Sequence, residues 1–395
     1  MIVNRALRSG YAWHLVWALS CVGFVIFVVD WAILHHSYFW DLKIYADAAR
    51  LSRNGGNAYG QDFGGLWFVY SPLVLWVFER LGDSLLAIFL TAYLISAGVF
   101  FTLAPRHVTA SLCLLFGVMI GHDFVIGPAL TGNFSLFAHL LIFGLWVLPK
   151  SRTAFVALLV LISAVSVIKP YFAAYFLLWA LREGKFTRHS LWALFALVAV
   201  VAVWGAQVLW APERFADFLS ALDRQTALGS SRQDMGEGIF RVVLYVVPSP
   251  LLALIIHGLL ILVILGVWFM RLRPRLTNAS DPRTEMLILT GAFIICVLMN
   301  PRLKVYDITL FYALCIHALY LRERTRSEFR GTALLGLTLF LAVLSLLAEI
   351  PGDSILAKFM IESLRYLAFL VSFVFAANMI LQTPTSRPTP MAPET

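Results

Sequence analysis

Long apolar runs alternate with short polar breaks along this chain, and that alternation predicts membrane-spanning helices. A spanning helix takes about 20 mostly apolar residues, and twelve candidate runs come near that length or fall somewhat short of it. They lie near 12–34, 84–104, 108–126, 133–149, 153–168, 170–181, 190–211, 250–270, 285–300, 305–321, 331–349 and 356–381. The segment 153–181 reads either as one interrupted span or as a short helical hairpin. Lys150 and Arg152 precede it, and Arg182, Lys185 and Arg188 follow it. Cytoplasmic ends carry an excess of Lys and Arg, so both ends belong on one side. A hairpin with Lys169-Pro170 near its tip is therefore expected.

That choice orders the remaining charges. Seventeen of the 30 cations, from Arg5 and Arg8 to Arg387, then share one side with six acids, leaving 13 cations and 16 acids opposite. Both termini are expected to be cytoplasmic. The expectation is an all-α, polytopic integral membrane protein of about 12 transmembrane helices: a single transmembrane domain over 1–395 with a disordered cytoplasmic tail at 382–395.

Composition narrows the picture. A chain of 395 residues has room for two or three soluble domains, but 61% hydrophobic and 13% charged residues depart far from the usual half and quarter. The net charge of +8 does not signal nucleic acid, because the cations are scattered between apolar runs instead of forming one basic face. Cys21, Cys113, Cys296 and Cys315 all lie in apolar runs, with neither a disulfide framework nor metal-ligand spacing. The run 12–34 is too long for the apolar region of a cleavable signal. No phosphate-cradling glycine motif occurs, and no outer loop carries carboxylates or His and Cys at ligand spacing. Neither a metal nor another cofactor is expected.

Three outer segments remain, 35–83, 212–249 and 300–307, and the first two are longer and more mixed in charge than the inner loops. In the first, residues 38–56 read as a short amphipathic helix lying along the membrane surface. Asp41 stands at its start, and Gly55 or Gly56 ends it. Leu42, Tyr45, Ala49 and Ser52 share one face, while Lys43–Asp47 and Asp47–Arg50 can pair on the other. Ser71-Pro72 opens a second interfacial helix. Asp41 is open to two readings that can coexist: a helix cap, or a general base kept ionised by the helix N-terminus. The 212–249 segment holds mixed charge and three glycines. It is either a partly mobile cover over a site or a plain connector.

The order Asp41-x3-Tyr45-x2-Ala48-Ala49, Gly56-Asn57-Ala58-Tyr59 and Tyr70-Ser71-Pro72-Leu73 resembles the first outer loop of glycosyltransferase family 87, membrane enzymes of the GT-C type. Thr131-Gly132-Asn133, Lys169-Pro170 and Asn300-Pro301 resemble further elements of that family, in order and on one membrane face. The resemblance runs from about Asp41 to Tyr312. It implies transfer of a sugar, mannose before arabinose, from a polyprenyl-phosphate carrier to a lipid or glycan acceptor at the outer, periplasmic face of the bacterial cytoplasmic (inner) membrane. It makes Asp41 the catalytic carboxylate.

The chemistry asks for such residues independently. A base must take the acceptor hydroxyl's proton, and cations must hold the leaving phosphate as charge builds on it. Lys169, Arg302 and Lys304 are the candidates for the phosphate, with snorkelling to the interface as the plain alternative for Lys169. Tyr45, Tyr70, His122, Asp123, Asn133, Tyr306 and Asp307 are candidates for the substrate pocket. After Pro301 the chain reads Arg302-Leu303-Lys304-Val305-Tyr306-Asp307, where several family members carry Trp and His, so no role is borrowed from that histidine. The rivals are a secondary transporter, against which the absence of a 6+6 repeat counts, and a polysaccharide polymerase or ligase of another membrane family.

Overall fold

The computed structural model describes residues 40–85, 87–88, 91–92, 95, 132–147, 151–183, 187–231, 239–247, 249–272 and 282–300. Among the described residues every regular element is helical, with one isolated antiparallel bridge between Asp62 and Trp67. The fold is all-α. The spans expected near 12–34, 108–126, 305–321, 331–349 and 356–381, and the tail 382–395, lie outside the described residues, as does most of 84–104.

Helix α1 (Trp40–Arg53) carries Asp41 in its first turn and Arg50 and Arg53 in its last, each charge opposing the nearer end of the helix dipole. Of the expected face, Leu42, Tyr45 and Ala49 are buried, with Ala48 beside them, while Ser52 is half-buried. Gly55 ends it in the left-handed region (φ 81), which lets the Gly56 N–H return to the Leu51 carbonyl at 3.0 Å. On the exposed side Arg50 meets Asp47 at 3.8 Å. Helix α2 (Pro72–Leu81) begins at Ser71-Pro72 as expected, but the Ser71 hydroxyl makes no capping bond. The Leu73 N–H is satisfied from elsewhere in the chain, by Gln207 Oε1 at 2.9 Å.

Four helices and a tighter turn form the bundle beneath: α3 (Ser135–Val147), α4 (Arg152–Ile168), a 3₁₀ segment (Pro170–Phe176), α5 (Leu177–Glu183) and α6 (Arg188–Trp210). Ser151 and Thr187 cap α4 and α6 through their side-chain oxygens. Aromatic contacts fix the hairpin. Trp179, in the first half of α5, meets Phe155 at the start of α4 (5.2 Å) and Trp146 at the end of α3 (6.1 Å). The basic breaks near 150 and 185 therefore share one end of the bundle, and Lys169 marks the other. The chain does not resume as an α-helix at once. Lys169 is extended (φ −133, ψ 103), as the residue before a proline prefers to be, and the return arm of the hairpin starts at Pro170 as a 3₁₀ turn.

The expected loop at 212–249 is largely helical. Helix α7 (Pro212–Ser231) and helix α8 (Ile239–Val246) occupy it, followed by α9 (Pro250–Leu272) and α10 (Pro282–Met299). Helix α7 lies against the first outer segment, where Phe218 and Ala221 join the core formed by Leu42, Tyr45, Tyr59, Phe68 and Leu75. Polar ties add to that core: Asn57 Nδ2 donates to Asp217 (3.0 Å), the Trp67 N–H to Gln225 Oε1 (2.8 Å) and Arg224 to the Tyr59 carbonyl (2.7 Å). Arg224 also sits 4.4 Å above the Trp67 ring. Helix α10 runs along the 3₁₀ segment and α5, setting Phe293 against His139 and Phe143.

Among the described residues Phe137–Trp146, Arg152–Ile168, Pro170–Ala180 and Leu251–Val267 are shorter apolar helices, and one helix, Arg188–Trp210, is long and apolar enough to cross a membrane. Its outer flank is apolar rather than charged: Phe195 is 64% exposed and Val201 63%, and on α9 Leu262 is 63% exposed.

Candidate functional site

The polar groups converge at the end of the bundle where α1, the start of α3 and the tip of the hairpin meet. Gly132 turns the chain there with φ 72, a conformation that suits glycine, and Asn133 follows. The Asn133 side chain caps the start of α3, its Oδ1 accepting the Ser135 N–H at 3.1 Å and the Ser135 hydroxyl at 2.7 Å. The same oxygen accepts from Lys169 Nζ at 2.9 Å. The amide nitrogen donates to Asp41 Oδ2 at 3.0 Å. Three of the residues singled out from sequence, Asp41, Asn133 and Lys169, are thus one hydrogen-bonded group, although 92 residues separate the first two and 36 the last two.

The ammonium of Lys169 is held from several directions. Ser135 Oγ accepts from it at 2.6 Å. Because the one hydroxyl hydrogen of Ser135 goes to Asn133, Tyr171 is the donor in the 3.0 Å contact between Tyr171 and Ser135. The rings of Phe134 and Tyr171 lie 4.9 and 5.9 Å from Nζ, within cation–π range. One helical turn deeper, His139 Nδ1 and the Tyr175 hydroxyl meet at 2.7 Å, a second polar rung between α3 and the 3₁₀ segment.

Tyr45 and Tyr70 bond to each other through their hydroxyls at 2.7 Å. Tyr45 is a core residue, stacked on Phe78 and buried in the cap that residues 40–85 form with α7. Tyr70 is half-buried and faces Phe134 at 6.5 Å, so it links the cap's aromatic core to the ring beside Lys169. Burial pushes the Tyr59 hydroxyl well above the usual tyrosine range, so it stays protonated and donates to the Tyr70 carbonyl at 3.0 Å. His122, Asp123, Arg302, Lys304, Tyr306 and Asp307 lie outside the described residues. Among the described residues no group of three His, Cys, Asp or Glu side chains gathers that could hold a metal ion.

No family model, no curated protein and no solved structure matches this chain. The site has therefore to be read from its own chemistry. It presents a carboxylate at a helix N-terminus and an ammonium among aromatic rings, joined by one amide. Ser135 and Tyr171 escaped the sequence reading, yet each stands two residues beyond a motif residue, Asn133 or Lys169. That spacing was the available signal.

Proposed function

We propose that this chain is a GT-C-type membrane glycosyltransferase of about 12 spans. In this reading it moves a sugar, mannose before arabinose, from a polyprenyl-phosphate carrier to a lipid or glycan acceptor on the outer face of a cytoplasmic membrane. Asp41 takes the acceptor hydroxyl's proton as that oxygen bonds to the anomeric carbon. The bond from that carbon to the phosphate oxygen breaks on the opposite side, so configuration inverts. The departing phosphate gathers negative charge, which the Lys169 ammonium offsets, with Arg302 and Lys304 as further candidates.

The observation that carries the reading is the joining of Asp41 to Lys169 through Asn133. A base and an anion-binding cation, drawn from distant segments and set side by side, are what a displacement of phosphate by a hydroxyl requires. The exposed apolar flank of α6 and α9 supports a lipid setting, in which a polyprenyl chain has access to the end of the bundle.

The test is transfer by the purified protein in nanodiscs, with a panel of polyprenyl-phosphate sugars and a crude lipid and glycan extract as acceptor. Movement of label from one donor, abolished by Asp41→Asn in a folded protein, supports the class and the base together. Donors left intact while proteoliposomes take up a solute would give the chain to the transporter reading instead.

A further inference from the structure

Asn133 entered the sequence reading as a pocket residue, but at 5% exposure it offers almost no surface to a sugar. Its surroundings also fix which way its amide points. The Ser135 N–H and the Lys169 ammonium are donors without acceptor capacity, and both lie within 3.1 Å of the same side-chain atom, which must be the oxygen. The NH₂ end is left for the Asp41 carboxylate. The amide dipole is thereby aligned with its negative end on the cation and its positive end on the anion.

Resting on the glycosyl-transfer reading, we propose that Asn133 is a positioning residue that couples the base to the phosphate-binding cation. One amide orients the Asp41 carboxylate for the acceptor hydroxyl and the Lys169 ammonium for the donor phosphate. When a phosphate draws on the ammonium, the hold of Asn133 Oδ1 on Lys169 loosens. Hydrogen bonds in a chain polarise one another, so the amide's grip on Asp41 loosens with it and the carboxylate becomes the stronger base. The base is then strongest when the donor is in place. That order of events disfavours proton abstraction at a site without donor.

Two variants and two readouts test this in nanodiscs. Asn133→Ser keeps a side-chain oxygen that can accept the Ser135 N–H two residues on but is too short to reach both Asp41 and Lys169. Asn133→Gln keeps both ends of an amide. The readouts are kcat for transfer and affinity for a short-chain isoprenyl monophosphate, the leaving group alone, with thermal unfolding as the check on folding. Asn133→Ser is expected to lose about tenfold in both quantities, because the lost orientation of Asp41 and Lys169, worth about one well-placed hydrogen bond on each side, outweighs the gain in Asp41 basicity, and Asn133→Gln is expected to lie nearer the wild type in both. A folded Asn133→Ser that keeps either wild-type kcat or wild-type phosphate affinity overturns the coupling, leaving Asn133 a plain cap or a one-sided contact. Wild-type protein that transfers nothing and binds no isoprenyl phosphate overturns the functional reading itself, which separates the two failures.

Discussion

The cap over the bundle and the flank of α6 and α9 obey opposite rules. In the cap, residues 40–85 with α7, backbone polar groups are tied to side chains far away in sequence: Trp67 to Gln225 across 158 positions and Tyr59 to Arg224 across 165. Charges such as Arg50, Asp47 and Arg53 stay on its outside. On the flank the outside is Phe195, Val198, Val201, Leu262 and Val263, a surface that water would penalise if left bare. The outside of α1 carries charges, whereas the outside of α6 and that of α9 are apolar. Asp41, Asn133 and Lys169 meet at the end of the bundle beneath the cap. A site so placed suits a reaction in which a polar acceptor meets a substrate with a long hydrocarbon tail.

The sharpest way to break the comparison is at the site. Asp41→Asn keeps the shape of the side chain and removes its basicity. Transfer is expected to fall by about 10²- to 10⁴-fold, the usual contribution of a general base, with the unfolding midpoint close to wild type. A label-transfer assay in nanodiscs beside a thermal melt reads both. Loss of the fold together with the activity would return Asp41 to a purely structural role at the helix start.

The flank comes next. A charge at Val201 faces whatever covers α6, and if that is hydrocarbon the cost is about 3 kcal/mol, whereas Ser220→Asp on the exposed side of α7 is expected to be neutral. Recovery of folded Val201→Asp and Ser220→Asp protein from membranes makes the measurement. Equal recovery of the two would mean that the flank does not face lipid.

Much of this was legible because it is local. The stripe of Leu42, Tyr45 and Ala49 follows helical spacing, Gly55 ends the helix for a backbone reason, and the charges around 150 and 185 fold 153–181 into a hairpin with Lys169 at its tip. The meeting of Asp41 with Asn133 and Lys169 was indicated only by the common outer side expected for all three; nothing in their spacing states a contact. Helix α7 was not anticipated, since the charges and glycines of 212–249 mask an amphipathic stripe of Phe215, Phe218 and Ala221. Its anchoring by Gln225 and Arg224 is a long-range pairing of polar groups, which leaves no periodic trace in either segment. The 3₁₀ start after Pro170 was likewise hidden within an apolar run.

That anchoring can itself be loosened. Gln225 is buried and its carbonyl is a partner for the Trp67 N–H, so Gln225→Ala strands a part-buried donor at a cost of about 1 kcal/mol. The expected result is faster amide exchange over 57–70 and α7 together, with the bundle unchanged. Exchange confined to α7 would show that the first outer segment holds its shape without it.

The smallest effect belongs to the outer surface of the cap. Asp47 and Arg50 stand 3.8 Å apart, with much of both side chains in solvent, and exposed pairs of this kind contribute about 0–1 kcal/mol. Asp47→Ala removes that pair but leaves the helix dipole opposed by Asp41 at one end and by Arg50 and Arg53 at the other. Its stability is expected to stay within about 0.5 kcal/mol of wild type, and its transfer rate to match. A thermal melt and the label assay on one preparation check both. The contrast with Asp41→Asn is the point of the pair: two acids on one helix six positions apart, one bonded to Asn133 at the end of the bundle and one facing water. If Asp47→Ala reduced transfer as far as Asp41→Asn does, the line drawn between the cap's outer face and the site beneath it would be in the wrong place.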